Sequence, residues 1–169
     1  FELLIGIGNK IATPAWVRSI KLKYLCQLNT FFGFYDFTES VPSMKNYNLY
    51  VDWTDELIKW RCLNPYNRTK IFNYKNKQLV YAKTKIPFTN VYSPISFKIK
   101  DNIIKKKCSD FHLKLFIGLS NEINGNVLFR KIPNILKPSP LNFLYKFLNE
   151  EYNLNKSEIF ISFLDFDAF

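Results

Sequence analysis

Glycine is scarce, five in 169 residues, and none completes a phosphate-binding loop. Gly6 and Gly8 follow an apolar run, but no third glycine stands at the dinucleotide-binding spacing and no Gly-Lys-Ser/Thr occurs. The three cysteines, Cys26, Cys62 and Cys108, are far apart in the chain, which excludes the close spacing of a zinc or redox motif. Their odd number and wide scatter fit free thiols in an intracellular, reducing compartment. Histidine occurs once, at His112, and no serine or cysteine stands in a recognisable nucleophile context. Paired acidic loops for calcium are missing. No apolar run approaches the ~18–20 residues that span a bilayer, and no cleavable signal is read in a sequence that opens on Phe1. Arginine, the residue best suited to bidentate phosphate recognition, numbers four against twenty lysines.

What is abundant is apolar, aromatic and basic. A hydrophobic content of 47% with 18% aromatics supports a folded core, and the length suits a single domain over residues 1–169. The formal net charge is +10. Lys, Asn, Ile, Phe and Tyr have AT-rich codons, so part of the lysine excess reflects the coding sequence, as in an organelle, parasite, endosymbiont or virus with an AT-rich genome. The charge attracts anions whatever its origin. It is unevenly spread: residues 1–148 hold 23 Lys/Arg and 9 Asp/Glu, whereas residues 149–169 hold one Lys and five acids.

Strand alternation dominates the chain. Phe1–Ile7, Ser19–Leu25 and Asn48–Trp53 read as strands, and Thr13-Pro14 as a break that excludes a helix there. Thr54, followed by Asp55 and Glu56, suits the cap of a short helix through Trp60, with a continued strand as the competing reading. Thr69–Tyr74 and Gln78–Ile86 form a hairpin. From Lys77 to Ser120, three strands carry apolar residues on one side and lysines on the other, the last two predicted to be antiparallel neighbours. Ser139 and Pro140 predict a C-terminal helix over about 139–152, with Leu141, Leu144, Tyr145 and Leu148 as its apolar stripe. Ser157–Leu164 predicts a closing strand apolar on both faces. The fold class expected is α+β, mainly β: an antiparallel sheet or sandwich with that one C-terminal helix and a closing strand.

The candidate site is the basic sheet face. Lys83, Lys85, Lys98, Lys100 and Lys114 alternate outward, and Lys105, Lys106 and Lys107 cap a loop. Tyr81, His112 and Phe116 are interleaved among them. Such a face tracks a phosphate backbone while rings stack on unpaired bases. A lysine-rich face is also what a solvated sheet in a lysine-rich chain displays, and no RNA-binding motif accompanies it. Asp165 and Asp167, two apart, point the same way in extended structure and could hold a metal with the acidic cluster Asp52, Asp55 and Glu56, but solvated carboxylates near a chain end are the simpler reading.

These observations lead to the expectation of a non-catalytic, basic structural or RNA-contacting subunit of a large assembly, with protein neighbours, as in an organellar ribonucleoprotein of the mitochondrion or another organelle. The alternative is a calcium-independent β-sandwich docking on anionic membrane or a protein partner. Neither reading requires a cofactor, a metal or a catalytic residue.

Overall fold

In the computed structural model, residues 3–33, 44–63, 69–74, 77–84, 87–97, 113–124, 129–137, 139–149 and 152–166 are described. In chain order the regular elements are β1 (Leu3–Gly8), α1 (Ala12–Ser19), β2 (Lys23–Gln27) and β3 (Asn29–Gly33), then α2 (Asp55–Leu63), β4 (Thr69–Tyr74), β5 (Lys77–Lys83) and β6 (Thr89–Phe97). They are followed by β7 (Leu113–Gly118), the short α3 (Asn121–Asn124), β8 (Arg130–Lys131) and β9 (Asn142–Phe147). Strands dominate, so the chain is α+β and mainly β. Two sheets form: a small one ordered β1-β9-β2 and a large one ordered β4-β5-β6-β7-β3-β8.

The small sheet is covered on both faces. Phe143 and Tyr145 of β9 point inward to pack with Leu28, Leu119, Ile159 and Ile161, whereas α1 lies across the opposite face. Trp16 of α1 sits so close to Gly6 that a Cβ there would come within 2.9 Å of its ring. The glycines of β1 therefore make room for the Trp16 indole against the strand. Helix α1 contains Thr13-Pro14, contrary to the expected break. Proline falls in the first turn, where its missing N–H has no helical carbonyl to bond. Asn9 completes that turn, its Oδ1 accepting from the N–H groups of Ile11 (3.0 Å) and Ala12 (2.8 Å).

The predicted C-terminal helix over about 139–152 is instead β9, the central strand of this sheet. A central strand covered on both sides is apolar at successive positions, and Phe143, Leu144 and Tyr145 are all buried. A near-continuous apolar run satisfies helical spacing by default, so the stripe of leucines carried no discriminating information.

The large sheet also has two covered faces. Val80, Ala82, Val91 and Leu115 meet Ile58 of α2 and the C-terminal Phe163 and Leu164. On the other face Phe31, Tyr81, Tyr92 and Phe116 pack with Ile123 and Phe129. The predicted β4–β5 hairpin is present in antiparallel register, from Thr69 opposite Ala82 to Tyr74 opposite Lys77. The helix predicted from Thr54 forms as α2, with the Thr54 carbonyl accepting from the Ile58 N–H at 3.0 Å.

Strands β6 and β7 are parallel, not the antiparallel neighbours expected, and they pair only from Thr89–Val91 opposite Leu113–Leu115. Residues 98–112 are long enough in sequence for a crossover, which a parallel pair requires. Beyond the paired residues the C-terminal segment bonds to both strands. Leu119 and Ile161 exchange both backbone hydrogen bonds, at 2.8 and 3.0 Å, and Ser93 Oγ donates to Ser162 Oγ at 3.1 Å. The closing segment is buried from Ile159 to Leu164, in agreement with its apolar character on both faces. It is not a regular strand, however: single bridges join Ile159 to Leu49 and Ile161 to Leu119, between two short 3-10 turns.

Candidate anion-binding surface

The structure buries three of the residues expected on the outer basic face. Tyr81 and Phe116 are 3% and 0% exposed, and Lys114 is 7% exposed. Tyr81 stacks on Tyr92 with ring centroids 5.9 Å apart, and Phe116 packs against Phe31 at 6.3 Å. Neither ring is available to a nucleic-acid base. Lys114 lies with its Nζ 6.0 Å from the Tyr92 ring centroid, a cation held against an aromatic face inside the protein. The correction has one cause. Alternation separates the two faces of a strand, but here a second layer contributed by Ile123 and Phe129 covers the face that carries the lysine. Lys83, at the end of β5, is exposed as expected. Lys85, Lys98, Lys100, Lys105, Lys106, Lys107 and His112 lie outside the described residues.

Among the described residues the carboxylates form no metal-holding group. Asp52 is exposed, Asp55 and Glu56 occupy the first turn of α2, and Asp167 lies outside the described residues. Asp165 turns inward. Its Oδ1 accepts from Trp53 Nε1 at 2.7 Å, and its Oδ2 accepts from the Ser162 N–H at 2.7 Å and from Ser162 Oγ at 3.3 Å. This is a reciprocal cap on the 3-10 turn Phe163–Asp165. Burial pushes its carboxyl up to about 6, against these hydrogen bonds and the nearby Arg61, which favour the charged form. Arg61 in turn donates from Nη2 to the Phe166 carbonyl at 3.1 Å. Among the described residues, no group of three His, Cys, Asp or Glu could hold a metal ion. Cys26 and Cys62 are half-buried free thiols, and burial raises both, Cys62 to about 11.

A different basic surface is present, and charge counting over long blocks missed it. Residues 3–35 contain no Asp or Glu, and neither do residues 123–149. The first run supplies β1, α1, β2 and β3; the second supplies β8, a 3-10 turn at Asn134–Leu136, and β9. Pairing of β9 between β1 and β2 joins the two acid-free runs in the small sheet, whereas their other strands, β3 and β8, pair with each other in the large one. The cations of that layer are Lys10, Arg18, Lys21 and Lys23 from the first run and Lys146 from the second; Lys137 bonds to its end, and Arg130 and Lys131 stand on β8 of the large sheet.

They gather at two places. At the α1–β2 corner, Arg18, Lys21 and Lys23 are exposed beside the exposed ring of Tyr24, and Lys146 Nζ donates to the Ile20 carbonyl at 3.3 Å. Lys21 takes a left-handed conformation, φ 58°, which turns the chain from helix into strand. At the other end of the small sheet, Lys137 is held by donation from Nζ to the Leu28 carbonyl at 3.1 Å, and nearby Lys131, on β8 of the large sheet, is exposed. Partial burial and the neighbouring Lys131 both lower the Lys137 ammonium from its ordinary value.

No helix among the described residues is long and apolar enough to cross a membrane. Comparison with protein-family profiles, with curated proteins and with solved structures finds no match to this chain.

Proposed function

We propose that this protein is a basic, non-catalytic binding module that holds an anionic partner on its surface. The observation that carries the reading is the acid-free layer. Parts of two runs distant in sequence, residues 3–27 and 142–147, meet in the small sheet and its covering helix, with cations and no carboxylate of their own. Codon bias explains an excess of lysine. It does not explain the exclusion of Asp and Glu from two segments that pair in space, because their codons are not penalised in the same way. Without carboxylates to neutralise it, such a layer sets up a positive potential that draws and orients a polyanion. The role of an RNA-contacting subunit in a larger assembly and the role of a membrane-docking domain share this physics.

The test is retention on immobilised polyuridine and on anionic vesicles across a salt series, using the intact chain and a Lys21→Glu/Lys23→Glu variant. Retention that falls steeply with salt and is weakened in the variant is expected. Absence of salt-dependent retention on both anions overturns the reading.

A further inference from the structure

We infer that one end of the acid-free layer is a docking rim for an anionic phospholipid surface, with Ile11, Ile135 and Leu136 as the inserting side chains; this rests on the anion-binding reading above and names its partner. The three residues are 86%, 91% and 70% exposed, among the most exposed large apolar side chains in the described protein. They come from two turns. Ile11 lies in the turn Asn9–Ile11 between β1 and α1, and Ile135 and Leu136 form the 3-10 turn Asn134–Leu136.

Hydrogen bonds fix both turns at the same end of the small sheet. β1 ends at Gly8 and β2 at Gln27, both opposite Asn142, the first residue of β9. Asn142 Nδ2 donates to Thr13 Oγ1 at 2.9 Å, tying this end to the start of α1. One residue earlier the Leu141 carbonyl accepts from the Leu28 N–H at 2.8 Å, and the Leu28 carbonyl accepts from Lys137 Nζ. The apolar tips are thus flanked by Lys10 on one turn and by Lys131 and Lys137 beside the other.

The chemistry selects a membrane among anionic partners. Aliphatic tips do not stack on bases, so they add nothing to single-stranded RNA binding, which draws on rings. They are highly exposed and project from tight turns, a shape suited to a yielding apolar layer beneath a charged surface. Cations at their base then meet lipid headgroups as the tips enter the acyl boundary. Pro133 before the second turn and the Leu136 N–H donating to the Pro133 carbonyl at 3.0 Å preorganise that tip.

The experiment is flotation of the intact chain with vesicles of phosphatidylcholine alone or of phosphatidylcholine with phosphatidylglycerol. It is repeated for Ile135→Asp/Leu136→Asp and for the control Leu63→Asp, a leucine on α2 that is 66% exposed. Circular dichroism checks folding, and binding to polyuridine is measured in parallel. The expected result is recovery with the anionic vesicles only, reduced about tenfold or more in the double variant and unchanged in the control. Anionic-vesicle recovery that the double variant does not reduce overturns the rim and leaves the anion-binding reading standing. Polyuridine binding without vesicle recovery does the same and points to RNA. Loss of both overturns both proposals.

Discussion

Asp165 makes the stability of this protein depend on pH in a direction opposite to that of ordinary acid denaturation. Its carboxyl is pushed from 3.8 to about 6 because burial penalises the charge more than Trp53, Ser162 and Arg61 compensate it. In the unfolded chain the group returns to about 3.9. Between those values the folded state binds a proton that the unfolded state has lost, so unfolding releases protons and stability falls as pH rises. Two pKa units at about 1.4 kcal/mol each give a loss of about 3 kcal/mol between pH 4 and pH 7. The measurement is urea denaturation at half-unit pH steps for the wild type and for Asp165→Asn. Asparagine keeps one carbonyl acceptor but presents an amide N–H toward the second donor, so it forfeits a hydrogen bond at every pH and titrates at none. The difference between the two curves isolates Asp165 from the other carboxylates. A difference that is flat across this window, or that shows the wild type gaining stability as pH rises, refutes the account of a buried, protonatable cap.

Two substitutions in β7, with Lys83→Ala as an exposed control, test the packing of the large sheet. Gly118→Ala places a Cβ 1.8 Å from the Ile161 carbonyl oxygen, at a φ of 157°. Because the clash is with backbone, the C-terminal segment must move, and a loss of at least about 3 kcal/mol is expected in denaturant melts. Phe116→Ala empties a fully buried site and is expected to cost about 3–5 kcal/mol, whereas Lys83→Ala, on an exposed strand end, stays within about 0.5 kcal/mol. Similar melts for Phe116→Ala and Lys83→Ala would restore Phe116 to the outer face and undo the two-layer description of the large sheet.

Much of the fold was legible because its signals are local. The β4–β5 hairpin, the cap at Thr54 and the strands of the middle region follow from turn residues and period-two alternation, which act over a few positions. What was hidden depended on the environment of whole faces. β9 was misread as a helix because burial on both sides removes the alternation that marks a strand. Proline at position 14 was misread as a stop because the same residue breaks a helix interior and suits its first turn. The parallel β6–β7 pair was out of reach for a related reason: direction depends on the path of the connection, and residues 98–112 carry no local mark of it.

The candidate site was hidden more deeply, and Lys114 shows why. A lysine at an outward position of an alternating strand is read as solvated, since transferring an ammonium from water is costly. That cost applies to the charge and not to the four-carbon stem, which packs as well as any aliphatic chain. In β7 the stem is buried with its neighbours and the ammonium approaches the Tyr92 ring, so the lysine belongs to the interior arrangement. Alternation therefore reports which residues share a face and leaves open what covers it. Missing carboxylates were the more informative signal. A buried lysine and an exposed one look alike in sequence, but a run without Asp or Glu deprives every element it forms of neutralising charge, whichever way its side chains turn. Two such runs, far apart in sequence, become significant only when β9 inserts between β1 and β2 and joins them.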